Sequence, residues 1–199
     1  MVTTRNTRED IVAAAGRMFA DKGYHGTSMR DLGGELGLLG SSLYSHIDSK
    51  EDLLVEVVDE GARLFLDASD RAMTGDGGAE QKLRALIAGH VDVVLDHLDV
   101  VRTYLNEARM LDESHRARVV SARDEYESRF RDVISQGVEE GVFRSDVDAK
   151  ITSIFILSIL NAIERWYRPD GGLDRTSLVE AIDRVATSGI QKPASRVPR

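Results

Sequence analysis
The chain of 199 residues contains no cysteine. Disulfides, thiol nucleophiles and thiolate metal sites are therefore excluded, and the composition suits a reducing, cytoplasmic compartment. Proline is nearly missing too. It occurs only at Pro169, Pro193 and Pro198, so residues 1–168 hold no residue that lacks a backbone N–H. No apolar run is long enough for a bilayer: the richest, 151–163, has nine apolar residues in thirteen, where about 20 are needed. The first ten residues are polar and argue against a signal peptide. No membrane partner is expected. Positive charge is also in deficit. The net charge is −8, and residues 1–52 carry six basic side chains against eight acidic ones. A protein that coats nucleic acid without selection is excluded; any DNA surface must come from the placement of charge, not its bulk.

What is present is helical periodicity. Ile11, Ala15, Met18 and Phe19 form one apolar stripe on a first helix that ends near Gly23. Thr27 or Ser28 caps a short second helix with Met29, Leu32 and Leu36 on its apolar side. Gly37 interrupts it. A third short helix around 40–46 turns Leu43 and Ile47 inward, and Ser49 with Asp52 opens a long fourth helix by a capping box. A glycine-rich linker at 74–78 is followed by helical stretches at about 79–98, 100–111, 113–140, one that starts at 145–148 and runs through 163, and 175–188. No strand is expected. The predicted architecture is all-α with about nine helices: a domain at 1–50, a second at 51–190, and a disordered tail at 191–199.

The region 27–53 carries the functional signal. Two short helices joined by a glycine turn and packed on a longer first helix are the ingredients of a helix-turn-helix. The third helix offers Gly40, Ser41, Ser42, Tyr44 and His46 on faces not claimed by Leu43 and Ile47. Small hydroxyl residues let a helix enter the major groove, and Tyr44 and His46 can reach phosphate oxygens. Lys50 stands at a helix N-terminus, where free N–H groups also favour phosphate. Arg30, with Arg5 and Arg8 before the first helix, supplies mobile positive charge. Spacing alone leaves ordinary helical packing open as the alternative.

The segments Thr27-Ser28-Met29-Arg30-Asp31-Leu32 and Leu36-Gly37-Leu38-Leu39-Gly40-Ser41-Ser42-Leu43-Tyr44-Ser45-His46-Ile47-Asp48-Ser49-Lys50-Glu51-Asp52-Leu53 resemble the DNA-binding signature of TetR-type repressors. The resemblance implies a homodimer that binds double-stranded operator DNA through Thr27, Ser28, Arg30, Leu39, Gly40, Ser41, Ser42, Tyr44, His46 and Lys50. The remainder would bind a small-molecule effector. Leu39, Ser41 and Ile47 depart from the usual pattern, and the first two bear on base specificity. The segments 106–109, 136–144 and 165–169 are similar to repressors of fatty-acid and sterol catabolism, which points to an acyl-CoA or lipid-derived effector.

His90 and His97 lie seven apart on one helix, about 10 Å along its axis. That is too far to share a metal ion bound at about 2 Å by each. No metal, cofactor or catalytic group is expected: the glycines at 33, 34 and 37 fit no phosphate-loop pattern, and no nucleophile elbow occurs. His90, His97, Arg102, Tyr104, Arg109 and Asn161 are the candidate effector contacts. Asn161, an amide inside an apolar run, could equally fix the register of a dimer interface. That interface is expected to use Ile154, Leu157, Trp166, Leu178 and Ile182, because the 151–163 helix is apolar all round. Two other functions compete with a repressor: a helical partner-binding adaptor, and a small-molecule enzyme for which no constellation of reactive groups is visible.

Overall fold
The computed structural model describes residues 7–38 and 40–192, apart from the side chains at positions 40 and 41. Among these it contains nine α-helices: α1 (Arg8–Gly26), α2 (Met29–Leu36), α3 (Gly40–Tyr44), α4 (Lys50–Met73), α5 (Ala79–Asp96), α6 (Leu98–Asn106), α7 (Glu113–Glu139), α8 (Ala149–Trp166) and α9 (Arg175–Ser188). One 3₁₀ turn, Ala108–Met110, follows α6 where the sequence predicts a continuous helix to 111. The single β feature among the described residues is an isolated bridge between Phe143 and Gln191.

The helix boundaries have local causes. Thr7 caps α1 in a reciprocal box with Asp10, and Ser28 caps α2 with Asp31 in the same way. Gly23, at φ 74, breaks helical geometry inside α1, so the final turn before Thr27 takes a new direction. The end of α2 is a Schellman motif. Leu38 N–H donates to the Gly33 carbonyl at 2.8 Å and Gly37 N–H to that of Gly34 at 3.2 Å, with Gly37 left-handed at φ 64.

Packing divides the chain into two compact units, 1–64 with 97–123, and 65–96 with 124–199. The boundary expected at residue 50 is therefore not where the packing divides. The first part of α4 and all of α6 pack with the N-terminal helices, because Leu53, Leu54, Val57 and Val58 are fully buried there.

In the first unit, Ile11, Ala15, Phe19, Leu32, Leu43, Ile47, Val57 and Val101 form the core. The Thr103 hydroxyl donates to the Gly16 carbonyl at 3.1 Å, pinning α6 to α1. In the second unit, Leu83, Ile87, Phe130, Ile134, Phe143, Ile156, Leu160 and Leu178 are buried. Arg84 reaches Asp183 at 3.0 Å, and Arg175 bridges Asp92 and Asp96, so ion pairs at two places hold α9 to α5. Arg144 N–H donates to the Ile190 carbonyl at 2.8 Å and Gln191 pairs with Phe143, which orders 191–192; residues 193–199 lie outside the described ones.

Candidate nucleic-acid interface
Helix α3 has only five residues, too few to be stable alone. Two apolar anchors hold it: Leu43 and Ile47 are completely buried. His46 N–H and Ile47 N–H both donate to the Leu43 carbonyl, at 3.0 and 3.2 Å, closing the turn that follows. With these two inward, Ser42, Tyr44, Ser45 and His46 point to solvent; Tyr44 is 54% exposed. An exposed tyrosine and histidine flanking a buried leucine present polar atoms that are already in water and free to exchange it for DNA. Of the other expected groove residues, Leu39 lies outside the described ones, and Gly40 and Ser41 are described only in their backbone.

Lys50 opens α4 beside this surface. Its ammonium lies 4.1 Å from the centre of the Tyr24 ring, within cation–π range. The Ser49 hydroxyl caps the same helix by accepting from Asp52 N–H at 3.0 Å. Arg30 is exposed on α2. The Tyr24 N–H donates to the Glu107 carboxylate at 3.2 Å, so the residue that carries Lys50 is held from the end of α6.

Three of the expected polar and charged residues have partners within the fold. Thr27, expected among the DNA contacts, is 3% exposed, and its hydroxyl donates to the Met18 and Gly23 carbonyls at 3.2 and 3.1 Å. It supports the bend at Gly23. Ser28 is exposed, but its hydroxyl donates to Asp31 at 2.6 Å as the α2 cap. Those bonds from Ser28 hold the Asp31 carboxyl below the usual carboxylate range. Arg8 is not mobile charge. Its guanidinium grips both oxygens of Glu56 and donates to the His46 carbonyl at 2.9 Å.

The candidate effector residues fall in both units. In the first, Tyr104 is buried, and a Cβ at Gly61 would lie 2.7 Å from its own Cβ, so α4 and α6 are in backbone-close contact there. Arg123 lies over the Tyr104 ring and donates to its carbonyl at 2.9 Å. His97 is exposed and lines a groove of about 760 Å³ together with Arg8, Val12, Glu56 and Val100. Arg102 is half-buried and Arg109 exposed.

In the second unit, His90 is buried with its Nδ1 3.1 Å from the Tyr126 hydroxyl and the Phe65 ring centre 4.6 Å away. Burial pushes its pKa down to about 3, against a smaller opposing pull from the Leu160 backbone. That backbone group does not complete a hydrogen bond: among the described residues Nε2 has no partner at ordinary geometry. Asn161 is half-buried. Tyr126 and Phe65 were not legible as partners of His90, because they come from helices far away in the chain.

The apolar face of the second unit also differs from expectation. Ile154 and Trp166 are exposed and Leu157 is half-buried, but Leu178 and Ile182 are 3% and 6% exposed, inside the unit's own core. On α8 and α9 the exposed large apolar side chains are Ile151, Ile154, Phe155, Ile159, Trp166 and Val185.

Two family descriptions match the chain: bacterial regulatory proteins of the tetR family over residues 11–57, and the tetracyclin repressor-like C-terminal domain over 76–190. The HTH-type transcriptional repressor KstR2 of Mycobacterium tuberculosis is 33% identical over 191 residues, 93% of each chain. The solved structure of the ketosteroid transcriptional regulator KstR2 from that organism superimposes with a TM-score of 0.89, at 27% identity, over 97% of this chain and 98% of that one. AibR, solved in complex with isovaleryl coenzyme A and operator DNA, superimposes with a TM-score of 0.81, at 26% identity, over 89% of this chain and 96% of that one.

Proposed function
Because the chain belongs to the TetR family of bacterial regulatory proteins and is a DNA-binding transcriptional regulator rather than an enzyme, we propose that it works as a cytoplasmic homodimeric repressor of a near-palindromic operator, released by an acyl-CoA or related lipid-derived thioester. The observation that carries the DNA half is the exposure of Ser42, Tyr44 and His46 on α3 and the turn after it, with Leu43 and Ile47 buried beneath and Lys50 opening the next helix. Serine and histidine give donors and acceptors to base edges, and Tyr44 and Lys50 reach phosphates. A two-fold axis spaces two such rows about 34–36 Å apart, one DNA turn.

Dimerisation is supported by the α8 face. Ile154, Phe155, Ile159 and Trp166 make an apolar surface of the kind that monomers rarely leave in water. An isologous pairing through α8 and the Val185 side of α9 covers it. No described helix is long and apolar enough to cross a membrane.

The effector class is supported by AibR, whose structure holds isovaleryl coenzyme A, and by the likeness to KstR2. His90 fits the apolar part of such a ligand. It is a neutral imidazole among aromatic rings with an open Nε2, able to bond one carbonyl or hydroxyl without a charge to solvate. Ligand binding and DNA binding oppose each other by linkage if the liganded form misplaces the α3 rows.

The test is to select duplexes from a random pool with the purified protein and then titrate acyl-CoA thioesters of graded chain length, and free CoA, against the bound duplex by fluorescence anisotropy. Selection of an inverted repeat at two chains per duplex, and its release by a thioester but not by free CoA, is the expected result. Failure to enrich any sequence refutes the DNA assignment; enrichment without release by any thioester refutes the effector class.

A further inference from the structure
The end of α3 is held from outside. The Leu43 carbonyl accepts from both His46 and Ile47, and the carbonyl of His46 takes a partner outside α3. Its partner is Arg8, the first residue of α1, whose Nη1 donates to it at 2.9 Å. The other side of the same guanidinium is engaged by α4: Nε lies 3.0 Å from Glu56 Oε2, and Nη2 meets Oε1. One planar group thus joins the start of α1, the second turn of α4 and the turn that closes the DNA-reading helix. Its base is fixed as well, since Thr7, immediately before it, is locked in a capping box with Asp10.

Only arginine can fill this position. The fork binds both carboxylate oxygens and still has an N–H free for a third acceptor; a lysine ammonium can reach these sites only as a mobile point charge. Glu56 neutralises the cation, and Asp48 and Asp52 add to its stabilisation. A cation paired in this way is a poor phosphate ligand, because DNA would have to replace a carboxylate that is already bound at two points. The pair also borders the groove of about 760 Å³ that Arg8 and Glu56 help to line, with Arg8 well exposed there. An exposed pair adds little to global stability, so what it contributes is placement.

We propose that Arg8 is a positioning residue for DNA reading, acting not on phosphate but through the His46 carbonyl and the Glu56 carboxylate to hold the exposed row Ser42, Tyr44 and His46 at a fixed angle to α4. This rests on the DNA-binding reading. It gives α4 a direct hold on the recognition helix: whatever shifts the second turn of α4 pulls Glu56, Arg8 and the His46 turn together.

Positioning and charge predict opposite signs for one substitution. Glu56→Gln removes a negative charge close to the DNA-facing surface, and charge alone would tighten binding. If Arg8 positions α3, Glu56→Gln weakens it. The experiment compares Arg8→Lys, Arg8→Ala, Glu56→Gln and the double variant Arg8→Ala/Glu56→Gln on the duplex selected by the parent protein, across a salt series. Each single change is expected to weaken binding about fivefold, with the slope of log affinity against log salt unchanged. The double variant is expected to be no weaker than either single one, since both cut the same link. Melting temperatures are expected to stay within about 3 °C of the parent. Hydrogen exchange on the free protein supplies a readout without DNA: amides 43–49 exchange faster in Glu56→Gln, while the buried α5 amides do not.

Tighter or unchanged binding by Glu56→Gln, parent-like binding by Arg8→Lys, or a salt slope shallower by about two units in Arg8→Ala, the change expected when one phosphate in each of the two half-sites is no longer neutralised, overturns the proposal in favour of direct phosphate binding. Unchanged exchange at 43–49 overturns it whether or not a duplex is found. Failure of the parent protein to select any duplex counts against the functional reading instead, and the exchange result still decides this one.

Discussion

The Lys50 ammonium rests 4.1 Å above the Tyr24 ring, and the Tyr24 N–H is in turn bound by the Glu107 carboxylate at the end of α6. The cation beside the exposed α3 row is therefore presented by an aromatic platform whose own backbone is held by a residue 83 positions further along the chain. Two substitutions separate charge from placement. Lys50→Gln is expected to make the salt dependence of operator affinity shallower by about two units, the change that follows when one phosphate in each of the two half-sites is no longer neutralised. Tyr24→Leu keeps the charge and frees it, so affinity is expected to fall about threefold, the scale of an exposed cation–π pair, with the slope retained. Anisotropy titrations at four salt concentrations distinguish them.

Buried and exposed neighbours on α3 should respond in opposite ways. Tyr44 is mostly in solvent, so Tyr44→Ala is expected to change unfolding free energy by no more than about 0.5 kcal/mol while operator binding drops sharply. Leu43 is fully buried, and Leu43→Ala is expected to cost about 2–5 kcal/mol. Urea unfolding followed by circular dichroism, beside binding curves, checks both.

The turn after α7 depends on the absence of a side chain at one position. A Cβ at Gly137 would overlap the Phe143 ring, which is completely buried against it. Gly137→Ala is expected to destabilise the protein by about 1–3 kcal/mol through overpacking, and Phe143→Ala by about 3–5 kcal/mol through the cavity left behind. The double variant is expected to cost less than the two together, because the added methyl enters the space the ring vacates. Thermal or urea unfolding of the four proteins completes the cycle.

His90 sets a pH dependence of known sign. Its folded pKa is lowered from 6.5 to about 3 by burial. Between those values the unfolded chain holds a proton that the folded chain refuses. This contribution is intact above pH 6.5 and is lost as pH falls toward 3, at up to about 1.4 kcal/mol per pH unit. His90→Gln is expected to remove that slope. Denaturant midpoints of the two proteins, measured from about pH 7 to about pH 4, should converge as acid is added; parallel curves would mean that His90 is protonated in the folded state.

The α8 face bears on assembly. Phe155 is 65% exposed within one chain, so Phe155→Glu is expected to leave the folded helix content intact and to shift the protein to monomer, with loss of operator affinity. Light scattering after size exclusion reads the mass directly. A parent protein that elutes as a single chain would remove the basis for two half-sites.

Much of this was legible without coordinates wherever the cause is local. Capping boxes, glycine stops and apolar periodicity are set by residues within four positions of one another, so α2, α4, α7 and α9 begin and end close to where their sequences place them. The exposure around α3 was legible for the same reason: with Leu43 inward on the short helix, Ser42 and Tyr44 turn outward, and His46 is exposed in the turn that Ile47 anchors. Thr27 and Arg8 were misread because their roles depend on partners elsewhere. A threonine before a capping serine looks like a second polar contact until the bend at Gly23 folds it against the Met18 carbonyl. An arginine at a helix start looks free until Glu56, 48 positions later, occupies it.

The amino-acid order therefore determined the helices, their caps and the polarity of each face, since those follow from backbone hydrogen bonding and side-chain spacing over one or two turns. Only the tertiary structure decided which charges are paired, which apolar residues of α9 are already used inside the chain, and that His90 meets Tyr126 in a dry setting. Those outcomes depend on which helices become neighbours, and that is settled by the joint packing of many side chains rather than by any short stretch of the chain.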